Sequence, residues 1–214
     1  MKKISASFLS CKDLERDLMR LNETDVDYIH VDIMDGKFVS NKTIPFRHMK
    51  NIYKFTSKRL DVHLMVEKPL KLIKKYAGLN TEYITIHCEI DGDINKLLDV
   101  IGSFQIKKGL AINPDTSIEM LIPYLDRIDL ILVMSVYPGA GGQTFIETTS
   151  SKIDEIKKLI QDRNLDILVS VDGGINDKTK DKVSSSDILV SGSYITNGED
   201  FQERINVLRG DNNG

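Results

Sequence analysis

Two hydrophobic rhythms alternate along this chain. Short runs with every second residue aliphatic give way to longer stretches whose apolar residues stand three or four apart. Ile4 to Leu9 reads as a strand with Ser5, Ser7 and Leu9 on one face, and Leu14, Leu18 and Leu21 mark the helix after it. Tyr28 to Ile33 is the second strand. Ile29, Val31 and Ile33 share one of its faces, and Tyr28, His30, Asp32 and Met34 share the other. The loop Asp35 to Thr43 then leads to a helix predicted from Pro45 to about Phe55.

Arg59 to Met65 sets Leu60, Val62 and Leu64 against Asp61, His63 and Met65, and a helix opened by Pro69 and stopped by Gly78 follows. Strands at Tyr83–His87 and Lys108–Ile112 follow, with a helix over about 94–104 between them. A short helix around Ile118–Tyr124 leads to an almost wholly apolar strand, Asp129–Val136, as expected where both faces are covered. A helix over 151–161, a strand at Ile167–Val171, a short helix from about Asp177 and a strand at Asp187–Val190 continue the alternation. A last helix holds Phe201, Ile205 and Leu208, and a polar tail from Gly210 to Gly214 is expected to fray.

Eight strand–helix pairs in step, with no linker between them, imply a parallel sheet closed into an α/β (β/α)8 TIM barrel, one domain over residues 1–214. An open doubly wound sheet fits less well, because the first strand–helix turn has no GxGxxG.

Composition narrows the setting. The chain has 214 residues, 41% hydrophobic and 29% charged, with a net charge of -3. That balance gives no general attraction to nucleic acid or to anionic membranes. Cys11 and Cys88 have no CxxC partner and read as reduced thiols. Met1-Lys2-Lys3-Ile4-Ser5 runs straight into a strand, and no stretch approaches a membrane span. A soluble, cytoplasmic protein is expected, with a homo-oligomer as the expected assembly.

The aliphatic faces should meet the helices, so the opposite parity sends Ser7, His30, Asp32, His63, Met65, His87 and Asp172 into the barrel, near the C-terminal ends of their strands. Barrel enzymes do their chemistry at that end. His30, Asp32, His63 and Asp172 together offer mixed N and O donors suited to one divalent metal ion, Zn, Fe(II), Mn or Co. His87 has no evident part beyond lining the wall. Three glycine-rich loops, at Gly139-Ala140-Gly141-Gly142, Gly173-Gly174 and Gly192-Ser193, allow backbone N–H groups to face one oxyanion, which points to a phosphate. Met34, Met65 and Met134 offer an apolar wall.

A phosphate anchor, a divalent cation and two carboxylates suit carbon-acid chemistry on a phosphorylated sugar. A metal beside a ketone stabilises a developing enediolate, and inverting a stereocentre takes two proton-transfer groups on opposite sides of it, here Asp32 and Asp172. The loop over 35–43 stands where a lid would.

The motifs that carry these residues are Ser5-Ala6-Ser7-Phe8-Leu9-Ser10, His30-Val31-Asp32-Ile33-Met34-Asp35-Gly36, Asp61-Val62-His63-Leu64-Met65, the stretch from Val133 to Gln143, Val171-Asp172-Gly173-Gly174 and Val190-Ser191-Gly192-Ser193. In order and spacing, from about Ile4 to Ser193, they resemble the ribulose-phosphate 3-epimerase family. The resemblance implies interconversion of D-ribulose 5-phosphate and D-xylulose 5-phosphate in the pentose phosphate pathway. It implies His30, Asp32, His63 and Asp172 as metal ligands and Asp32 and Asp172 as the acid/base pair. Ser7, His63, Asp172 and the residues of the three glycine loops would bind substrate. Ala6, Lys37, Ser40 and Ala140 depart from the family's usual Pro, His, Pro and Phe, and none of them is an expected ligand or base. The alternatives are the same reaction on D-allulose 6-phosphate, or a non-catalytic phosphosugar-binding barrel.

Overall fold

Eight parallel strands pair in sequence order and close into a barrel: β1 (Lys3–Ser7), β2 (Tyr28–Met34), β3 (Arg59–Met65), β4 (Thr81–His87), β5 (Lys107–Ile112), β6 (Leu130–Met134), β7 (Leu168–Asp172) and β8 (Ile188–Ser191). The structure is a computed structural model, and it describes residues 1–9, 11, 13–43 and 45–210. The tail beyond Gly210, expected to fray, lies outside the described residues.

Parity sorts the side chains as the sequence predicts. Ile29, Val31 and Ile33, with Leu60, Val62 and Leu64, point outward into the large apolar core shared with the helices. Those helices are α1 (Leu14–Glu23), α2 (Phe46–Met49), α3 (Leu70–Tyr76), α4 (Ile94–Ser103), α5 (Thr149–Asp162), α6 (Ser193–Thr196) and α7 (Phe201–Arg209). Three of them start at an aspartate that accepts a backbone N–H from the first turn: Asp13 from Arg16, Asp93 from Lys96 and Asp200 from Glu203.

Inside the barrel, Tyr28, Tyr83, Leu130 and Ile188 form one apolar layer from the four even-numbered strands near their N-terminal ends. Tyr28 and Tyr83 meet edge to face at 5.5 Å. Above this layer the interior turns polar, with Ser5, Asp61, His30 and Thr85 all buried. Gly109 on β5 faces Thr85 so closely that any β-carbon there would overlap the threonine side chain.

Several elements differ from the expected ones. β1 ends at Ser7 and β6 at Met134, so Leu9 and Val136 belong to loops. The helix predicted from Pro45 to Phe55 is two short pieces, α2 and a 3-10 turn at Ile52–Lys54, interrupted at Asn51 (φ -102°, ψ 8°). The segment Ile118–Arg127 is a 3-10 helix with Pro123 inside it, where the missing N–H and the ring oppose an α-helix. The helix expected from Asp177 is a 3-10 turn at Lys180–Val183, and the turn after β8 runs directly into α6. Among the described residues, no helix is long and apolar enough to cross a membrane.

Candidate active site

β2 and β3 lie side by side with Asp32 next to His63 in register, and β6 and β7 put Met134 next to Asp172. The inward parity of these strands carries His30, Asp32, His63 and Asp172 to one point. Each supplies a donor atom within 4.8 Å of the others'. His30 Nε2 lies 3.2 Å from an oxygen of Asp32 and 3.6 Å from one of Asp172. His63 Nδ1 lies 3.1 and 3.7 Å from the same two oxygens. Four side chains from three strands therefore aim two nitrogens and two oxygens into one small space.

The quartet fits a divalent cation. His30 Nε2 is fully buried and close to a carboxylate oxygen, yet it is not aligned for a hydrogen bond with it. A buried nitrogen in that position is costly unless something else engages it. The other nitrogen, Nδ1, lies 2.8 Å from Asp61 Oδ2, which also accepts from Ser5 Oγ at 2.8 Å. Such an outer carboxylate fixes the orientation of a ligating imidazole and raises its basicity.

The two carboxyls differ in their ease of ionisation. Burial pushes Asp32 up, but the adjoining His30 and His63 imidazoles outweigh it and hold Asp32 well below the usual carboxylate range. Burial and then the charge of Asp32 push Asp172 up to about 7. Burial opposes charge on His30, whereas Asp32 and Asp61 beside it favour charge and raise it well above its ordinary value. Paired carboxyls with opposite shifts are what an acid and a base acting together require.

Above the quartet opens a cavity of about 360 Å³. Ser7, Asp32 and Asp172 reach it, as do Met34, Met65 and Met134. Its far side is made by Gly139, Ala140, Gly141 and Gly142, by Gly173 and Gly174, and by Gly192 and Ser193. All three glycine loops named from the sequence thus meet at one cavity. Gly174 has φ +65°, and a β-carbon there would come within 2.9 Å of the Phe145 backbone nitrogen. Ser7 Oγ donates to Asp32 Oδ2 at 3.0 Å. His30 and His63 have no exposed surface and lie behind Asp32 and Asp172. The loop over 35–43 rests on the opposite loop, where Asn41 Nδ2 donates to the Gly139 carbonyl at 2.6 Å.

Three participants escaped the sequence reading. Asp61 has the inward parity of His63, which was the available signal, but it lies one layer deeper. His87, expected only to line the wall, is fully buried and places Nε2 2.8 Å from His63 Nε2. Burial, partly offset by Glu89 at its other nitrogen, lowers His87 to about 4. Lys178 lines the cavity and, among the described residues, is its one cationic side chain.

Comparison with known proteins identifies relatives of this chain. Residues 3–196 match the sequence model of the Ribulose-phosphate 3 epimerase family. A ribulose-phosphate 3-epimerase of Bacillus subtilis (strain 168) is 33% identical over 215 residues, covering 98% of this chain and 99% of that protein. A ribulose-phosphate 3-epimerase of Buchnera aphidicola subsp. Baizongia pistaciae is 38% identical, covering 98% and 96%. Among solved structures, KGPDC from Streptococcus mutans has a TM-score of 0.71 at 14% identity, covering 99% of this chain and 97% of that one. That likeness extends to the barrel alone. The match along nearly the whole chain, at such identity, means that this chain belongs to the ribulose-phosphate 3-epimerase family.

Proposed function

We propose that the protein is a metal-dependent epimerase that interconverts D-ribulose 5-phosphate and D-xylulose 5-phosphate by moving the proton on carbon 3, as a cytoplasmic enzyme of the pentose phosphate pathway. The observation that carries this reading is the pair Asp32 and Asp172. They come from strands β2 and β7, reach the same cavity and have their proton affinities pushed apart.

Epimerisation takes the proton from one face of carbon 3 and returns a proton to the other. One carboxyl must begin ionised and the other protonated, and the reverse reaction exchanges their parts. Asp32, held ionised, is suited to remove a proton, and Asp172, which keeps its proton more readily, to deliver one. Ser7 Oγ fixes the Asp32 carboxylate in the cavity wall. His30, Asp32, His63 and Asp172 would hold one divalent cation, and their mixed donors suit Zn, Fe(II), Mn or Co. When bound, the cation supplies Lewis-acid stabilisation of the negative charge that develops on the sugar oxygens.

The loops at Gly139–Gly142, Gly173–Gly174 and Gly192–Ser193 would bind the phosphate through backbone N–H groups, with Lys178 adding a positive charge. Met34, Met65 and Met134 form an apolar wall that keeps water from the planar intermediate. A cavity of about 360 Å³ whose one cationic lining residue, among the described residues, is Lys178 suits a small phosphosugar better than a nucleic acid.

The test is turnover of D-ribulose 5-phosphate in deuterium oxide. Deuterium appearing at carbon 3 together with D-xylulose 5-phosphate is the expected result. Product without exchange at that carbon, or faster turnover of D-allulose 6-phosphate, would overturn the assignment.

A further inference from the structure

His63 turns one imidazole nitrogen toward Asp32 and Asp172 and the other away from them. The nitrogen turned away, Nε2, lies 2.8 Å from Nε2 of His87, and Nδ1 of His87 lies 3.0 Å from Oε2 of Glu89. The ring centroids of the two histidines are 5.0 Å apart and their planes differ by 28°. With two ring nitrogens at hydrogen-bond distance, that spacing means rings joined edge to edge, nearly coplanar, along an N–H···N line. The second Glu89 oxygen accepts the backbone N–H of Asn113 at 2.7 Å, which fixes the carboxylate between the ends of β4 and β5. Phe38 covers the His87 ring at 4.7 Å.

The acceptor at the Glu89 end gives the protons of this chain a direction. The Glu89 carboxylate can only accept, so His87 Nδ1 carries a hydrogen. In a neutral, fully buried His87 the other nitrogen is then bare and must accept. The hydrogen between the two rings therefore belongs to His63 Nε2. His63 Nδ1 is left with its lone pair, 3.1 Å from an Asp32 oxygen. Two electron-rich atoms facing each other at that distance repel, so a positive centre belongs between them, a proton shared with Asp32 in the metal-free protein or the cation once bound.

We propose that His87 and Glu89 are positioning residues that lock His63 in its Nε2–H tautomer and so keep Nδ1 available to the cation. The proposal rests on the reading of His63 as a ligand. Without the relay the ring can also carry its hydrogen on Nδ1, where it cannot ligate, and part of the binding energy goes into reversing that choice.

Two measurements test it. Nitrogen-15 NMR of the histidine rings should show His63 protonated at Nε2 in metal-free and zinc-loaded wild-type protein alike, and His87 protonated at Nδ1 and bare at Nε2. A His63 ring bare at Nε2 would overturn the proposal without any mutation. Zinc affinity, measured by competition with a chelator, should fall about 10- to 100-fold in His87→Leu and in Glu89→Ala. In His87→Gln the amide can accept from His63 and donate to Glu89, so most of the loss should be restored. Equal zinc affinity in wild type, His87→Leu and His87→Gln would remove the positioning role while leaving the ligand assignment standing. Failure of the wild type itself to bind zinc, cobalt(II), manganese(II) or iron(II) would instead remove the ligand assignment, and the proposal with it.

Discussion

Asp61 and His30, 31 residues apart in sequence, share a hydrogen bond of 2.8 Å in the barrel interior, where neither has more than 2% of its surface exposed. The same Asp61 oxygen accepts from Ser5 Oγ, so one carboxylate joins β1, β2 and β3 beneath the metal quartet. Asp61→Ala would leave two buried donors unpartnered. An unfolding free energy lower by about 1–3 kcal/mol is expected, measured by urea denaturation, with weaker metal binding. Asp61→Asn keeps an acceptor in place and should lose less on both counts. Equal losses in the two variants would mean that filling space, and not accepting a hydrogen bond, is what matters there.

Asp32→Asn and Asp172→Asn should each lower kcat by about 100- to 10,000-fold, the range a positioned acid or base contributes, while circular dichroism still reports a folded barrel. The substitutions preserve shape and remove the ability to exchange a proton. Near wild-type turnover in either one would end the two-base assignment.

Dialysis against a chelator should abolish epimerisation, and adding back one divalent ion should restore it. The fully buried, unaligned His30 Nε2 is the structural reason to expect this dependence. Metal analysis of the active and stripped protein, run beside the rate assay, checks it. Unchanged turnover in protein verified to be metal-free would dismiss the cation from the reaction.

Gly174→Ala meets two obstacles at once. The left-handed backbone costs roughly 1–2 kcal/mol for a residue with a side chain, and the new β-carbon would press on the chain at Phe145. The loop must shift, so KM for the phosphosugar should rise about tenfold or more. If KM is unchanged while stability falls, Gly174 serves the turn and not the phosphate.

Much of this was readable in the chain alone. The split between Ile29, Val31 and Ile33 on one face and His30 and Asp32 on the other follows from the two-residue period of a strand. Eight repeats of such strands with helices left little but a closed barrel. His63 and Asp172 were readable for the same reason, because parity and position at a strand end are local properties. Asp61 shared that parity, yet its importance depends on the register that brings β1 and β2 to either side of it. The link from His63 to Glu89 depends on a ring-to-ring distance that no pattern in one strand encodes. Lys178 comes near the cavity through the loop after β7, where no periodicity operates. The helical segments at Phe46–Lys54 and Ile118–Arg127 were read as longer or more regular than they are, because apolar spacing does not separate an α-helix from tighter turns of similar period.

The layer of Tyr28, Tyr83, Leu130 and Ile188 fills the barrel below the site, and the cavity at the C-terminal ends of the strands is the site's doorway. Two sugars that differ only in the hand of one carbon must enter and leave by that doorway, and they offer the same phosphate to the same loops. Each therefore blocks the other's turn. The direction of net conversion is set by how the ratio of the two sugars outside compares with their equilibrium ratio and not by any preference built into the site.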